Sequence, residues 1–260
     1  MITRIVGDRK RLAVLRRIDR PAAAVLAVLQ ALVAAAGWLA EPAGLALAIA
    51  VAAQLALGGV GAVRVIGPAR DDLGLARYAI PATAGIAATL FGRLIPGGLS
   101  LLLVPIVGVV LWSVTYLELR AERGTGGRTL RDLGLTAIVF SGSAGILHQF
   151  GLQVWPTPLL LVALLALPTA FRAAEARETM GAEGFGQALL HVLAVVQVGV
   201  GAVLLNLSIL VTAALLALAF YTWSGAVDAL RGGASGRSVA VEFGALVLLG
   251  LFVGLLLYRP

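Results

Sequence analysis

The residues of this chain best suited to hold a ligand or move a proton are its two histidines, and each sits in apolar sequence. A neutral imidazole offers one donor and one acceptor. Gln187 stands four positions before His191, which places both on one face of a helix. That pair could bind a headgroup, carry a proton or bond a neighbouring helix, and the last is the simplest use. Ser141, Gly145 and His148 share a face at helical spacing, with Ser143 close by. Such a stripe could line an outward cavity, or end in an interfacial histidine above a close-packed seam. Two histidines expected at opposite faces make no metal site without a third ligand. With no cysteine there is no thiolate nucleophile or disulfide either. No cofactor is implied.

Other chemistry is thin. Gly124-Thr125-Gly126-Gly127-Arg128 lacks the G-K-[ST] end of a phosphate loop, and no G-x-S-x-G, H-E-x-x-H or kinase set is present. Glu242 follows Arg237 by five positions and reads as a solvated carboxylate. Arg77 and Arg93 bracket one apolar segment, where long stems can snorkel to the two interfaces. Gln30, Gln54, Gln197 and Asn206 suit helix contacts or turns.

The elements that must position these residues are transmembrane helices. The 260 residues are 60% hydrophobic and 13% charged, with a mean hydropathy of +0.99. Soluble chains run near ~25% charged residues, and a single soluble core of this length could not hide so much apolar surface. A bilayer core asks for about 20 apolar residues per helix. Nine segments qualify: Pro21–Ala40, Gly44–Val63, Leu75–Phe91, Gly98–Leu117, Leu133–Phe150, Pro156–Phe171, Gln187–Leu205, Leu207–Trp223 and Val239–Tyr258. The third, sixth and eighth are short, as suits upright helices or helices buried in protein. Gln187–Trp223 is nearly continuous, so a tight outer turn is placed at Asn206; without it there are eight spans.

Charge tests this division independently. With the N-terminus in the cytoplasm, the inner connections and their helix ends hold eighteen of the twenty basic residues, all but Arg93 and Arg259. That is the positive-inside bias. Trp38, Trp112, Trp155 and Trp223 fall toward segment ends, as do Tyr116, Tyr221 and Tyr258, in the manner of interfacial aromatic belts. Residues 1–20 form a basic segment, an amphipathic surface helix or a flexible tail, in which Arg9, Lys10, Arg11, Arg16 and Arg17 would meet anionic lipid headgroups. The net charge of +7 points to that surface and not to nucleic acid. Residues 21–260 make one transmembrane domain.

Two stretches match at an offset of sixty. Asp72-Leu73-Gly74-Leu75 returns as Asp132-Leu133-Gly134-Leu135, and Ala84-Gly85-Ile86 as Ala144-Gly145-Ile146. Pro96 returns as Pro156, Glu118 as Glu178, and Gly124 and Gly126 as Gly184 and Gly186. This predicts a duplicated two-helix hairpin, 72–131 and 132–191, with both copies in one orientation about an axis along the membrane normal. Asp72 and Asp132 would cap helix starts, and the Ala-Gly pairs would allow close helix contact. The Ala23, Ala27, Ala31, Ala35 stripe and Gly250 with Gly254 suit packing within the chain or a dimer face.

Nine spans with the N-terminus inside and the C-terminus outside is also the topology of the UbiA-type prenyltransferases. That family's N-D-x-x-D pattern is absent here. The loop after the second segment offers Asp71-Asp72, and the region after the sixth Glu175, Glu178 and Glu183. Topology alone is a weak warrant for function, and no residue role is carried over.

The expected protein is a polytopic all-α bundle of a bacterial-type inner membrane. Sparse intramembrane polarity and small-residue seams favour a non-catalytic subunit or scaffold that binds lipid, a membrane-protein partner or a second copy of itself. A permease for a small or lipophilic solute would need Ser141, Ser143, Gln187 and His191 to converge on one cavity. A lipid-modifying, prenyltransferase-like enzyme would need carboxylates gathered near Asp71, Asp72, Glu178 and Glu183.

Overall fold

A computed structural model describes residues 2–41, 43–66, 74–120, 128–151 and 156–256, and for 2–20, 43, 120, 128 and 129 the backbone only. Among these residues the chain is all-helical. Helix α1 is Ile2–Leu39. Helix α2 runs Ala43–Leu55, passes through a π-helical turn at Ala56–Val60 and continues as Gly61–Ile66. A 3-10 turn at Leu75–Tyr78 leads into α3, Ala79–Gly92, and another at Gly97–Leu103 leads into α4, Val104–Arg120. Then follow α5 (Arg128–Phe150), α6 (Thr157–Glu175), α7 (Gly181–Leu204), α8 (Ile209–Arg231) and α9 (Gly236–Leu256).

Eight of the nine helices are long and apolar enough to cross a membrane. The exception is α3, with 14 residues. Together with its 3-10 lead it rises about 29 Å, and it is covered by protein instead: Ile80, Ala82, Ala84, Ala87 and Leu90 are all buried. It packs on α1, α2, α4, α5 and α6 and forms the middle of the bundle. The second half is built by α5 on α6 and α8 and by α7 on α6 and α8, with α9 laid mainly on α8. The outward faces of α4 with its 3-10 lead and of α9 carry exposed Leu102, Ile106, Val109, Leu248 and Phe252, surface that water would not tolerate at this density.

The helices run one or two turns past the apolar segments at several charged ends. α5 begins at Arg128 and so Asp132 lies inside it, not at a capping position. α7 begins at Gly181, which puts His191 ten residues into the helix, nearly three turns, and not one turn from its end as the hydropathy boundary implies. Glycine-rich sequence before Gln187 hid that extension. The basic segment is helical from Ile2 and continuous with the first span through Pro21. The side chains of Arg9, Lys10, Arg11, Arg16 and Arg17 lie outside the described residues.

The break at Asn206 is present, and its chemistry is local. Asn206 takes a positive φ of 51°. The Leu207 amide donates to Ala202 O at 3.1 Å and the Asn206 amide to Val203 O at 2.9 Å. These are the two bonds of a Schellman ending, and Leu207 packs with Ala202 in one apolar cluster beneath it. Asparagine is among the few non-glycine residues that tolerate this backbone. α6 ends the same way at Glu178 (φ 64°), with the Thr179 amide donating to Ala174 O at 3.2 Å.

Small residues set the closest approaches. Ala23, Ala27, Ala31 and Ala35 are all buried inside the chain. A Cβ on Gly250 would lie 2.3 Å from a Leu218 methyl, and one on Gly254 3.2 Å from a Val211 methyl, so both glycines seat α9 against α8. The two Ala-Gly-Ile segments do likewise. A Cβ on Gly85 would strike the Gln54 amide oxygen at 2.3 Å, and one on Gly145 would strike the Leu90 carbonyl carbon at 2.5 Å.

The π turn in α2 keeps its core-facing residues in line. Ala50, Gln54, Gly58 and Ala62 are four apart and all buried. In an α-helix such a series drifts by about 40° per step. One wider turn takes back part of the drift, so Gln54 reaches Thr89 and Gly58 lies against Ala82, both on α3.

Candidate functional site: polar clusters in and at the ends of the bundle

Four polar clusters carry most of the polar side-chain contacts between helices. The first lies within the apolar part of α1, α2 and α3. Gln30 donates to Pro81 O at 2.9 Å. Gln54 donates to Gln30 O at 2.8 Å and to Thr89 Oγ1 at 3.1 Å, and Thr89 donates to Gly85 O at 2.8 Å. Both glutamines are fully buried. Every donor points at an oxygen that can only accept or is free to, which fixes the amide orientations. The Gln54 Oε1 atom stands where a Cβ on Gly85 would be and so faces the Gly85 Cα hydrogens, the arrangement of weak Cα–H···O contacts at helix interfaces. Replacing Gln54 with leucine is expected to lower stability by about 0.6–1.7 kcal/mol. The same change at exposed Gln197 should be neutral within error, both read by chemical unfolding in micelles.

The second cluster ties α1 to the end of α3. Trp38 is buried and donates from Nε1 to Thr89 O at 3.0 Å. It is therefore not a lipid-facing belt residue. Gly92 leaves the space it occupies, since a Cβ there would lie 2.1 Å from the indole. Arg93 donates to Gly37 O at 2.5 Å, satisfying a carbonyl in the last turn of α1, and lies 3.5 Å from Glu41.

The third cluster is ionic and buried. Arg172 Nε and NH2 meet Glu118 Oε2 at 2.9 and 2.7 Å, while NH1 lies 3.6 Å from Glu175 Oε2. Glu175 Oε1 accepts from the Ala76 amide at 3.0 Å, capping the 3-10 turn that starts α3 from ninety-nine residues away. A Cβ on Gly74 would fall 1.9 Å from the Glu175 carboxyl, so only glycine admits it. At Gly134, sixty positions later in the matching Asp-Leu-Gly-Leu stretch, nothing lies within 4 Å. Arg77 next to this knot is 1% exposed, with its guanidinium 4.7 Å over the Tyr78 ring and NH2 2.6 Å from the Tyr78 hydroxyl. It does not snorkel.

The fourth cluster joins α6, α7 and α8. Arg177 donates to Asp228 Oδ1 at 2.6 Å, to Ala173 O at 2.9 Å and to Ser224 O at 3.1 Å. Arg231 reaches back to Arg177 O and Thr179 Oγ1, both at 2.6 Å, and to Gln187 Oε1 at 3.3 Å. Beneath them His191 is buried, its Nε2 2.9 Å from Phe220 O and its ring stacked on Phe220 at 4.2 Å between centroids. A cavity of about 160 Å³ opens here, lined by Arg177, Gln187, Leu190, His191 and Trp223, with Ala170 behind.

The structure thus brings His191 and Gln187 onto one cavity. Ser141 and Ser143 do not join them: their hydroxyls donate to Ala137 O and Val139 O of their own helix at 2.7 and 2.6 Å. His148 is exposed near the end of α5, and Glu242 is exposed on α9. Asp71 and Asp72 lie outside the described residues. Glu178 and Glu183 are exposed, and among the described residues no three of His, Asp and Glu gather as a metal would need. The Arg172 knot is the feature that sequence reasoning missed. A signal was available, because Ala173, Ala174 and Ala176 prolong the helix past Phe171 and place Arg172 and Glu175 on one face.

No protein-family model, curated protein or solved structure matches this chain.

Proposed function

We propose that this chain is a multi-pass protein of a bacterial-type cytoplasmic membrane, a non-catalytic subunit or scaffold that binds lipid or a protein partner. The observation that carries this reading is where the polar groups go. Gln30, Gln54, Thr89, Trp38, Arg93, Arg172 and Arg177 are bonded to other helices instead of being aimed along a shared path. Transporters keep unpaired polar groups and broken helices facing a central cavity. The separation of Ser141 and Ser143 from the His191 cavity speaks against the permease reading for the same reason.

The chain crosses nine times with its N-terminus in the cytoplasm. The eighteen inner basic residues support that orientation. So does the grouping of cross-helix pairs: Glu118 with Arg172 and Arg177 with Asp228 join ends assigned to the inner side, and Arg93 with Glu41 joins ends assigned to the outer side. α3 makes the ninth crossing inside protein. The hairpins α3–α4 and α5–α6 are copies of one unit, supported by the glycine contacts at Gly85 and Gly145, and have since diverged at Gly74 and Gly134.

Reporter fusions at Gly97 and Gly126 are expected to report the periplasmic and the cytoplasmic side respectively. If both report one side, the nine-span topology falls. Extraction into native-lipid discs is expected to recover the chain with stoichiometric lipid or a stoichiometric protein. Solute uptake by the purified chain in proteoliposomes, with neither retained, would overturn the scaffold reading.

A further inference from the structure

The His191 cavity has a chemistry more specific than a packing gap. The Phe220 carbonyl can only accept, so the neutral ring carries its proton on Nε2 and presents Nδ1 as an acceptor. Among the described residues no donor meets Nδ1. The neighbouring Arg177 already serves Asp228, Ala173 O and Ser224 O, and Asp228 offsets its charge, so the cavity has little attraction for an anion. Gln187 is likewise held by Arg231 and Glu183. What is left is the ring acceptor of His191, a residue 2% exposed that lines the cavity beside an aromatic face, with alkyl walls from Ala170 and Leu190. A cavity of about 150 Å³ accepts a ligand of roughly six heavy atoms. Leu190 at its rim is 56% exposed, on surface that lipid would cover.

We propose that this cavity takes a small uncharged polyol end of glycerol size, with one hydroxyl donating to His191 Nδ1 and the carbon frame against Trp223. The chemistry is shared by the glycerol head of a phosphatidylglycerol, whose phosphate would stay outside, and by a free polyol. The proposal rests on the lipid-facing membrane reading above.

The test uses the full chain, purified and delipidated in detergent. Equal amounts of phosphatidylglycerol and phosphatidylmethanol are added; the two have the same charge, and the second lacks the hydroxyls. Retained lipid is read by native mass spectrometry, and labelled glycerol binding by equilibrium dialysis. Phosphatidylglycerol should be retained about five- to ten-fold more, the worth of one buried hydrogen bond. His191→Phe should abolish that excess, and so should Val227→Phe, which fills the cavity from a half-buried wall position and leaves His191 intact. Saturable glycerol binding lost in both variants, without lipid preference, would assign the site to a free polyol. Equal retention of the two lipids with no saturable glycerol binding overturns the proposal, as does a preference that survives Val227→Phe. A chain that holds no lipid and stays dispersed without detergent would instead sink the membrane reading itself.

Discussion

Replacing Arg172 with methionine is expected to cost about 3–5 kcal/mol of stability, the range for removing one partner of a buried ion pair. The loss should appear as a lower unfolding midpoint in micelles, followed by circular dichroism. The size follows from what remains behind. Glu118 is 3% exposed and Glu175 6% exposed, so neither carboxylate could recover its hydration. Arg172→Lys should recover little, because Nε and NH2 act together on one Glu118 oxygen and an ammonium cannot reproduce that spacing. Glu118→Gln combined with Arg172→Met should be less damaging than the two changes added, with a coupling of about 0.5–3 kcal/mol. Strict additivity would mean that the pair does not act as a unit. The consequence reaches α3 as well. Glu175 caps the turn that starts it, so hydrogen exchange at the Ala76 amide should quicken in Arg172→Met before the bundle as a whole unfolds.

Gly58→Ala should destabilise by about 1–3 kcal/mol, the usual range for overpacking, while Gly59→Ala should be silent. A Cβ on Gly58 would lie 2.3 Å from Ala82 Cα and 2.4 Å from Ala82 N, and backbone cannot rotate away as a side chain can. At Gly59 nothing lies within 4 Å. The two glycines are adjacent and both lie in the π turn, so helix propensity affects them alike and cancels in the comparison. Equal effects in thermal unfolding would show that α2 and α3 leave room for a methyl at Gly58.

The parts of this fold legible in the sequence are those set by local chemistry. Among the described residues the nine apolar segments form nine helices, because each is long enough to form one and ends in turn residues. Asn206 was legible because few residues accept its backbone. What escaped was set by partners far along the chain. Arg77, Arg172 and Glu175 look like any charges at the end of an apolar run; the alanines after Phe171 put Arg172 and Glu175 on one face, but their partners Glu118 and Ala76 lie far along the chain. Trp38 was expected to face lipid, since the space that draws it inward is made by Gly92 on another helix. Of the proposed site, the Gln187–His191 pair follows from spacing. The walls from α6 and α8 do not, and Ser141 and Ser143 could not be separated from the pair without knowing that their hydroxyls turn back on their own helix.

Both ends of α3 are fastened. Glu175 holds the 3-10 turn that leads into it, and Thr89 and Arg93 at its far end are anchored to α1. A rod clamped at top and bottom is poorly placed to slide like a piston or swing like a pendulum. Within the bundle α3 therefore stands as a stator, while the outlying α9 rests mainly on α8 alone.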